Sequence, residues 1–444
     1  MRYIRGERRI KREIEALLGL IQESPTAFQA VAALKRRLLA AEYTELREAE
    51  PWTLCRSGKY FTTRNGSALI AFRLPAGETD SFQIIASHSD SPSFKIKENP
   101  DMEVEGHYVK LNVERYGGML CAPWFDRPLS VAGRIAVQRE NEIRTELVCI
   151  DRDLLMIPNL AIHMNHEANK GYEYNAQRDM LPLWRDGNSK KKFMDCIAEE
   201  AGVRPEQIVG ADLFLYNRML GTVWGEEDCY FSAPRLDDLE CAAASMEGFL
   251  AAEESRGTPV FALFDNEEVG SGTKQGAAST FLTDVLLRLF LEQGKSRADY
   301  LRAIANSFMI SADNAHAVHP NYADKHDPSN RVYMNSGVVV KHSANQHYTT
   351  DAVSDAVFRY LAAKAGVSLQ HFHNRSDVAG GSTLGNISGN QVALATVDIG
   401  LAQLAMHSPY ETAGCSDYLD FIRIARYFYG LRTEARDGGF AFSE

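Results

Sequence analysis

The stretch LFDNEEVGSGTKQGA, residues 263–277, sets Glu267 and Glu268 side by side where an apolar run ends. Adjacent residues on a strand point to opposite faces. One carboxylate of such a pair can hold a cation while its neighbour faces a water molecule as general base. Groups of the same kind close other apolar runs: His88 and Asp90 in ASHSDSP, Asp313 in ISADNAH and His407 in LAMHS. Asp237, in PRLDDLE, falls at a loop-to-helix junction. Imidazoles and carboxylates without a thiolate suit zinc, manganese or cobalt. Singly, each has a plainer reading, as a satisfied polar histidine or a helix N-cap. Gathered at successive strand ends, the carboxylates would repel one another unless cations were bound. The i, i+2 spacing of His88 and Asp90 lets the aspartate orient the far imidazole nitrogen. Two bridged ions ~3.5–4 Å apart would activate a shared hydroxide.

The elements that must position these groups are legible in the periodicity. Apolar residues from Ile10 to about Leu46 recur at helical spacing, interrupted at Ser24-Pro25-Thr26. Strand-like runs follow at 69–74 and 82–87. After Arg235 the pattern alternates: helix 237–255, strand 259–265, helix 284–293, strand 308–313, helix 351–366 and strand 391–400. Such alternation predicts an α/β fold, a mostly parallel central sheet flanked by helices. Functional groups then collect outside the carboxyl ends of the strands. Between residues 98 and 229 the segments are short, β-rich and turn-punctuated, with a polar tract at 167–192 expected as an exposed loop. The expected organisation is a discontinuous α/β domain of residues 1–97 and 230–444 carrying an inserted β-rich domain of residues 98–229.

With 45% hydrophobic and 24% charged residues, the 444-residue chain has the composition of a soluble globular protein. Its formal net charge of −11 speaks against a nucleic-acid partner. The seven cysteines are scattered without a CxxC pair, which fits a reducing cytoplasm. No run reaches membrane-spanning length, and the basic N-terminal segment, broken by Glu7, Glu13 and Glu15, reads as an amphipathic helix.

The ordered segments ASHSDSPSFKIK, YGGMLCAPWFDRPLSVAGR, IPNLAIHM, PRLDDL, DNEEVGS, SADNAHAVHPNYADKHD and QLAMHSPYETA resemble the aspartyl aminopeptidase and vacuolar aminopeptidase I family of dinuclear zinc exopeptidases. The resemblance runs from about residue 15 to residue 430. It implies a zinc-exopeptidase fold and two divalent ions per subunit, Zn2+ before Co2+ or Mn2+. His88 and Asp313 would hold one ion, Glu268 and His407 the other, and Asp237 would bridge them. Glu267 would be the general base and later the proton donor to the leaving amine, with Asp90 orienting His88. The insertion would be a dimerisation domain whose His163 polarises the scissile carbonyl in a neighbouring subunit. Dimers would assemble into a hollow tetrahedral dodecamer that acts on peptides. Asn159 and Asp238 depart from the family pattern; Asp238 is expected to cap the helix that follows it.

On the substrate side, Lys341 in VVVKHSANQHY aligns with a lysine that recognises acidic P1 side chains in aspartyl aminopeptidases. An ammonium in a partly closed pocket would favour Asp or Glu; the plainer reading is a surface lysine after a strand. GGSTLGN (380–386) lacks a GK[ST] ending and a following helix pattern, so a substrate-binding turn is expected rather than a phosphate loop. His342, His347, His371 and His373 fit no compact ligand template and are expected on loops or the surface. His316 and His319 are expected near the crevice without a ligand role. The function expected is a cytoplasmic metallo-aminopeptidase, with a Leu/Met-preferring enzyme and a non-catalytic assembly or cargo-binding shell protein as the rival readings.

Overall fold

The computed structural model describes residues 2–252, 255–378 and 380–444. Nine strands form the main sheet, in the order Thr44–Glu45, Lys59–Arg64, Ala68–Arg73, Thr258–Phe264, Phe82–His88, Phe308–Ala312, Ala395–Gly400, Val338–His342 and Leu369–His373. The four central strands, from Thr258–Phe264 to Ala395–Gly400, run parallel to one another. They therefore bring Phe264, His88, Ala312 and Gly400 to one end of the sheet. Strands buried on both faces read as near-continuous apolar runs, and Phe82–His88, FQIIASH, is buried throughout.

Alternate residues of these strands enter two separate cores. Ile85, Phe261, Leu263 and Ile310 pack under the helices Arg2–Glu23, Ala27–Ala40, Leu236–Ala251, Ala352–Ala365 and Cys415–Gly430. Ile84, Ala86, Val260 and Met309 pack under Phe281–Glu292 and Arg297–Ala305. The α/β architecture with helices on both faces matches the periodicity, and most expected elements lie within a few residues of their observed limits.

A separate six-stranded antiparallel sheet spans Ser93 to Asn217. Its own core includes Phe94, Leu111, Val131, Ile135, Phe193 and Leu213. The strand Ser93–Val104 continues across residue 98, and Thr222–Trp224 pairs instead with Tyr230–Ala233 in a five-stranded sheet. The tract 167–192 is not wholly loop: Leu183–Asp186 adds an edge strand to the six-stranded sheet. A helix, Leu384–Gly389, does follow the glycine-rich turn at 380. Its Leu384 is buried in the second core and its Ile387 packs against it.

Candidate metal centre

His88 ends its strand with Phe264 as its paired neighbour. Beyond Phe264 the chain turns: Asn266 takes a positive φ of 64°, and Glu267–Val269 form a 3-10 turn. Strand alternation therefore does not separate the two glutamates, because the strand stops before them. Asp90 organises the turn instead. Its Oδ1 accepts the Glu267 N–H at 3.1 Å, and its Oδ2 accepts the Glu268 N–H at 3.2 Å and the Tyr116 hydroxyl at 2.7 Å. The same residue meets the imidazole of His88, whose Nδ1 lies 3.1 Å from the Asp90 carbonyl oxygen and 3.4 Å from Oδ1. Asn266 donates to Tyr116 at 2.8 Å and accepts from Thr273 at 2.8 Å and Gln275 at 2.7 Å. That gives Thr273 and Gln275 of SGTKQGA a role in holding the turn.

Asp237, 3% exposed, reaches two imidazoles at once. Its Oδ1 is 3.4 Å from Nε2 of His88 and its Oδ2 is 3.5 Å from Nε2 of His407. Glu268 Oε2 lies 3.3 Å from the same His407 nitrogen. Donor atoms of His88, Asp237, Asp238 and Asp313 lie within 4.8 Å of one another, as do those of Asp237, Glu268 and His407. Asp238 stands just before the regular helical turns of Leu236–Ala251, but its side chain is turned to the site rather than to the helix, Oδ2 accepting the His88 N–H at 3.0 Å. Glu411 was not singled out from sequence. Its buried carboxylate accepts the N–H of Asp237 at 3.1 Å and that of His407 at 2.7 Å, fixing two of the clustered residues through the main chain. The only sequence signal was its place four residues after His407 in HSPYETA.

The electrostatics are those of an acidic pocket. Burial, with Asp313, Asp90 and Asp237 nearby, pushes the Glu267 carboxyl up to about 8 against the pull of His88. Burial and then Asp237 raise Glu411 to about 8, and burial first also raises Glu268 and Asp238. Asp237 goes the other way: burial opposes its charge, but His407 and His88 outweigh it. Three buried carboxylate oxygens, Asp237 Oδ1, Asp238 Oδ1 and Glu268 Oε1, have no hydrogen-bond partner among the described residues. Orphaned acceptors cost free energy unless a cation meets them. With two imidazoles, this donor set fits zinc.

A cleft of about 340 Å³ opens on the cluster, lined by His88, Asp237, Glu267, Asp313, Lys341 and His407. Lys341 is no surface lysine, being 3% exposed, with its Nζ 3.7 Å from Asp313 Oδ1 and 5.4 Å from the centre of the Tyr348 ring. Gly381, Ser382 and Thr383 reach the cleft, so the glycine-rich turn stands at the site. His316 also lines it, while His319 sits in a neighbouring depression that shares His316 and Phe372. His163 is exposed on a loop of the inserted sheet region, beside exposed Leu160, Ile162 and Met164, and does not line this cleft. His342, His371 and His373 are not on loops: they lie on two paired strands.

Comparison with known proteins gives one consistent answer. Residues 20–429 match the family described as aminopeptidase I zinc metalloprotease (M18). A probable M18 family aminopeptidase 2 of Clostridium novyi is 46% identical over 423 residues, covering 94% of this chain and 98% of that protein. The cryo-EM structure of an Ape4 and Nbr1 complex aligns at a TM-score of 0.92 with 32% identity, covering 96% of this chain and 86% of that one. The S. cerevesiae mApe1 dodecamer aligns at 0.82 with 27% identity, covering 94% and 95%.

Proposed function

The chain belongs to the aminopeptidase I zinc metalloprotease (M18) family and is a metallo-aminopeptidase, a hydrolase of peptide bonds, and from that premise we propose how its residues divide the work. His88 and Asp313 would hold one zinc ion and Glu268 and His407 a second, with Asp237 placed to serve both. The observation that carries this reading is the Asp237 carboxylate, whose two oxygens face two different imidazoles. When bound, zinc supplies Lewis-acid polarisation of the scissile carbonyl, a water acidic enough to deprotonate near neutral pH, and positive charge that lowers the pKa of Glu267.

Glu267 takes the proton of the attacking water and hands it to the leaving amine. Asp90 keeps that carboxylate in place through the Glu267 N–H and steadies His88 at Nδ1. Asp238 holds the His88 main chain. The free α-amine of the substrate binds among the acidic groups, which restricts cleavage to the N-terminal residue. Lys341, buried in the cleft wall, attracts an acidic P1 side chain. A second reading, preference for neutral Leu or Met, is favoured by the Asp313 carboxylate that already faces Lys341 at 3.7 Å.

His163, set among exposed apolar side chains, acts in a neighbouring subunit of a homo-oligomer, built as dimers that assemble into a tetrahedral dodecamer. The dodecamer named for the S. cerevesiae relative supports that assembly. Among the described residues no helix is long and apolar enough to cross a membrane, and the seven cysteines are unpaired. We place the enzyme in the cytoplasm on that cysteine chemistry.

The test is hydrolysis of a peptide amide with a free N-terminus beside its N-acetylated twin, before and after chelation and zinc return. Only the free peptide should be cleaved, and chelation should abolish cleavage until zinc is restored. Equal rates on the blocked peptide would overturn the exopeptidase reading, and no hydrolysis of either by the zinc-loaded protein would point to a shell protein.

A further inference from the structure

Away from the cleft, a second group of metal-type donors collects where strand pairing joins residues far apart in sequence. Val338–His342 and Leu369–His373 run parallel at the edge of the nine-stranded sheet, with Val340 opposite His371 and His342 opposite His373. Lys341 and Phe372 lie opposite each other on the cleft side, so the three histidines occupy the other face. There Nε2 of His342 is 3.1 Å from Nδ1 of His371. Asp355, from the first turn of Ala352–Ala365, places Oδ1 3.9 Å from the same His371 nitrogen. One donor atom from each of His342, His371 and Asp355 falls within 4.8 Å of the others.

Two features separate this group from a chance pair of histidines. Asp355 Oδ2 accepts from Arg359 Nε at 2.9 Å, but its Oδ1 is buried and has no hydrogen-bond partner among the described residues. His342 is held in place by stacking on His373, with ring centres 4.9 Å apart and planes 5° from parallel. Zinc–nitrogen bonds of about 2.0–2.1 Å in a tetrahedron put two donor nitrogens roughly 3.3–3.4 Å apart. The observed 3.1 Å needs only a small adjustment to meet that.

We propose that His342, His371 and Asp355 form a separate metal site that takes one zinc-class transition ion, with water completing its coordination. Two imidazoles and one carboxylate suit zinc rather than calcium or magnesium. Burial first, joined by His373 at His342 and by Arg359 at His371, keeps both rings below the ordinary histidine pKa against the pull of Asp355, which favours the neutral, ligating form near pH 7. The ion would tie the edge strand, its neighbour and the helix Ala352–Ala365 together behind the wall that carries Lys341 and Phe372.

The test is zinc binding at fixed free concentrations, with bound ions per chain counted by mass spectrometry in wild type, His342→Gln/His371→Gln and Asp355→Asn. Wild type should saturate at one ion per chain more than the double variant, and Asp355→Asn should raise the half-saturating concentration of that ion roughly tenfold or more. A zinc-edge anomalous map of wild-type crystals should show a peak among the three side chains. Equal saturation and equal half-saturating concentrations in wild type and Asp355→Asn, or no anomalous peak at zinc saturation, would overturn the site and leave a hydrogen-bonded histidine pair. If the double variant fails to fold, Asp355→Asn and the anomalous map still decide the matter.

Discussion

The ammonium of Lys341 faces Asp313 at 3.7 Å from within the cleft wall. Burial opposes its charge, yet Asp313, Tyr348 and Asp398 outweigh that and raise its pKa above the ordinary lysine value. It therefore stays charged throughout any practical assay range. On a panel of N-terminal amino-acid amides, Lys341→Ala should lower kcat/KM for Asp and Glu at least tenfold and leave Leu and Met within a few-fold. Tenfold corresponds to about 1.4 kcal/mol, modest for a desolvated charge pair. A panel without acidic preference supports the neutral-substrate reading instead. Asp90 carries a different expectation, since it touches His88 and both glutamate N–H groups. Asp90→Asn should weaken zinc binding by roughly 10–100-fold, measured by competition with a chelating dye; unchanged affinity would remove its positioning role.

Gly400 shows how an element places Asp313, a proposed ligand. A Cβ there would meet the Asp313 carbonyl oxygen at 2.2 Å and the Ala315 nitrogen at 3.0 Å. The strand Ala395–Gly400 can thus accept the chain leaving Phe308–Ala312, with the Asp313 N–H bonded to the Ile399 carbonyl at 3.1 Å. Gly400→Ala should destabilise the fold by about 1–3 kcal/mol and lower zinc affinity together. A denaturation midpoint and a zinc affinity both like wild type would show that Asp313 is held by something else. Elements of this kind were largely legible in sequence, because buried parallel strands and amphipathic helices leave strong periodicities. The strand ends carrying His88, Asp313 and the Glu267–Glu268 pair could be read from those runs. What lay hidden depended on long-range closure. Glu411 and Asn266 act by hydrogen-bonding main chain and side chains that only the folded chain brings near. The His342–His371 contact arises from a register between strands 29 residues apart.

For the molecule as a whole, stability should respond to pH through Asp417. Its carboxylate accepts the N–H groups of Asn335 at 2.6 Å and Gly337 at 2.8 Å, anchoring the segment that leads into Val338–His342. Burial pushes its pKa from 3.8 up to about 7. A carboxyl raised on folding favours the protonated fold, so its contribution is full below about pH 4 and is lost as pH rises to about 7. At about 1.4 kcal/mol per unit over roughly three units, the ceiling is about 4 kcal/mol per chain. The measurement is the slope of unfolding free energy between pH 4 and 7, which should be less negative in Asp417→Asn than in wild type; equal slopes would exclude Asp417 as its source.

The proposed division of labour at the metal centre has Glu267 acting on the proton while other carboxylates would hold metal. Turnover of one free-amino peptide amide by zinc-loaded Glu267→Gln and wild type, with zinc counted in both, measures that division most directly. Loss of a general base should lower kcat by roughly 10²–10⁴-fold at unchanged zinc content. A variant that binds zinc like wild type and turns over within a few-fold of it would contradict the account.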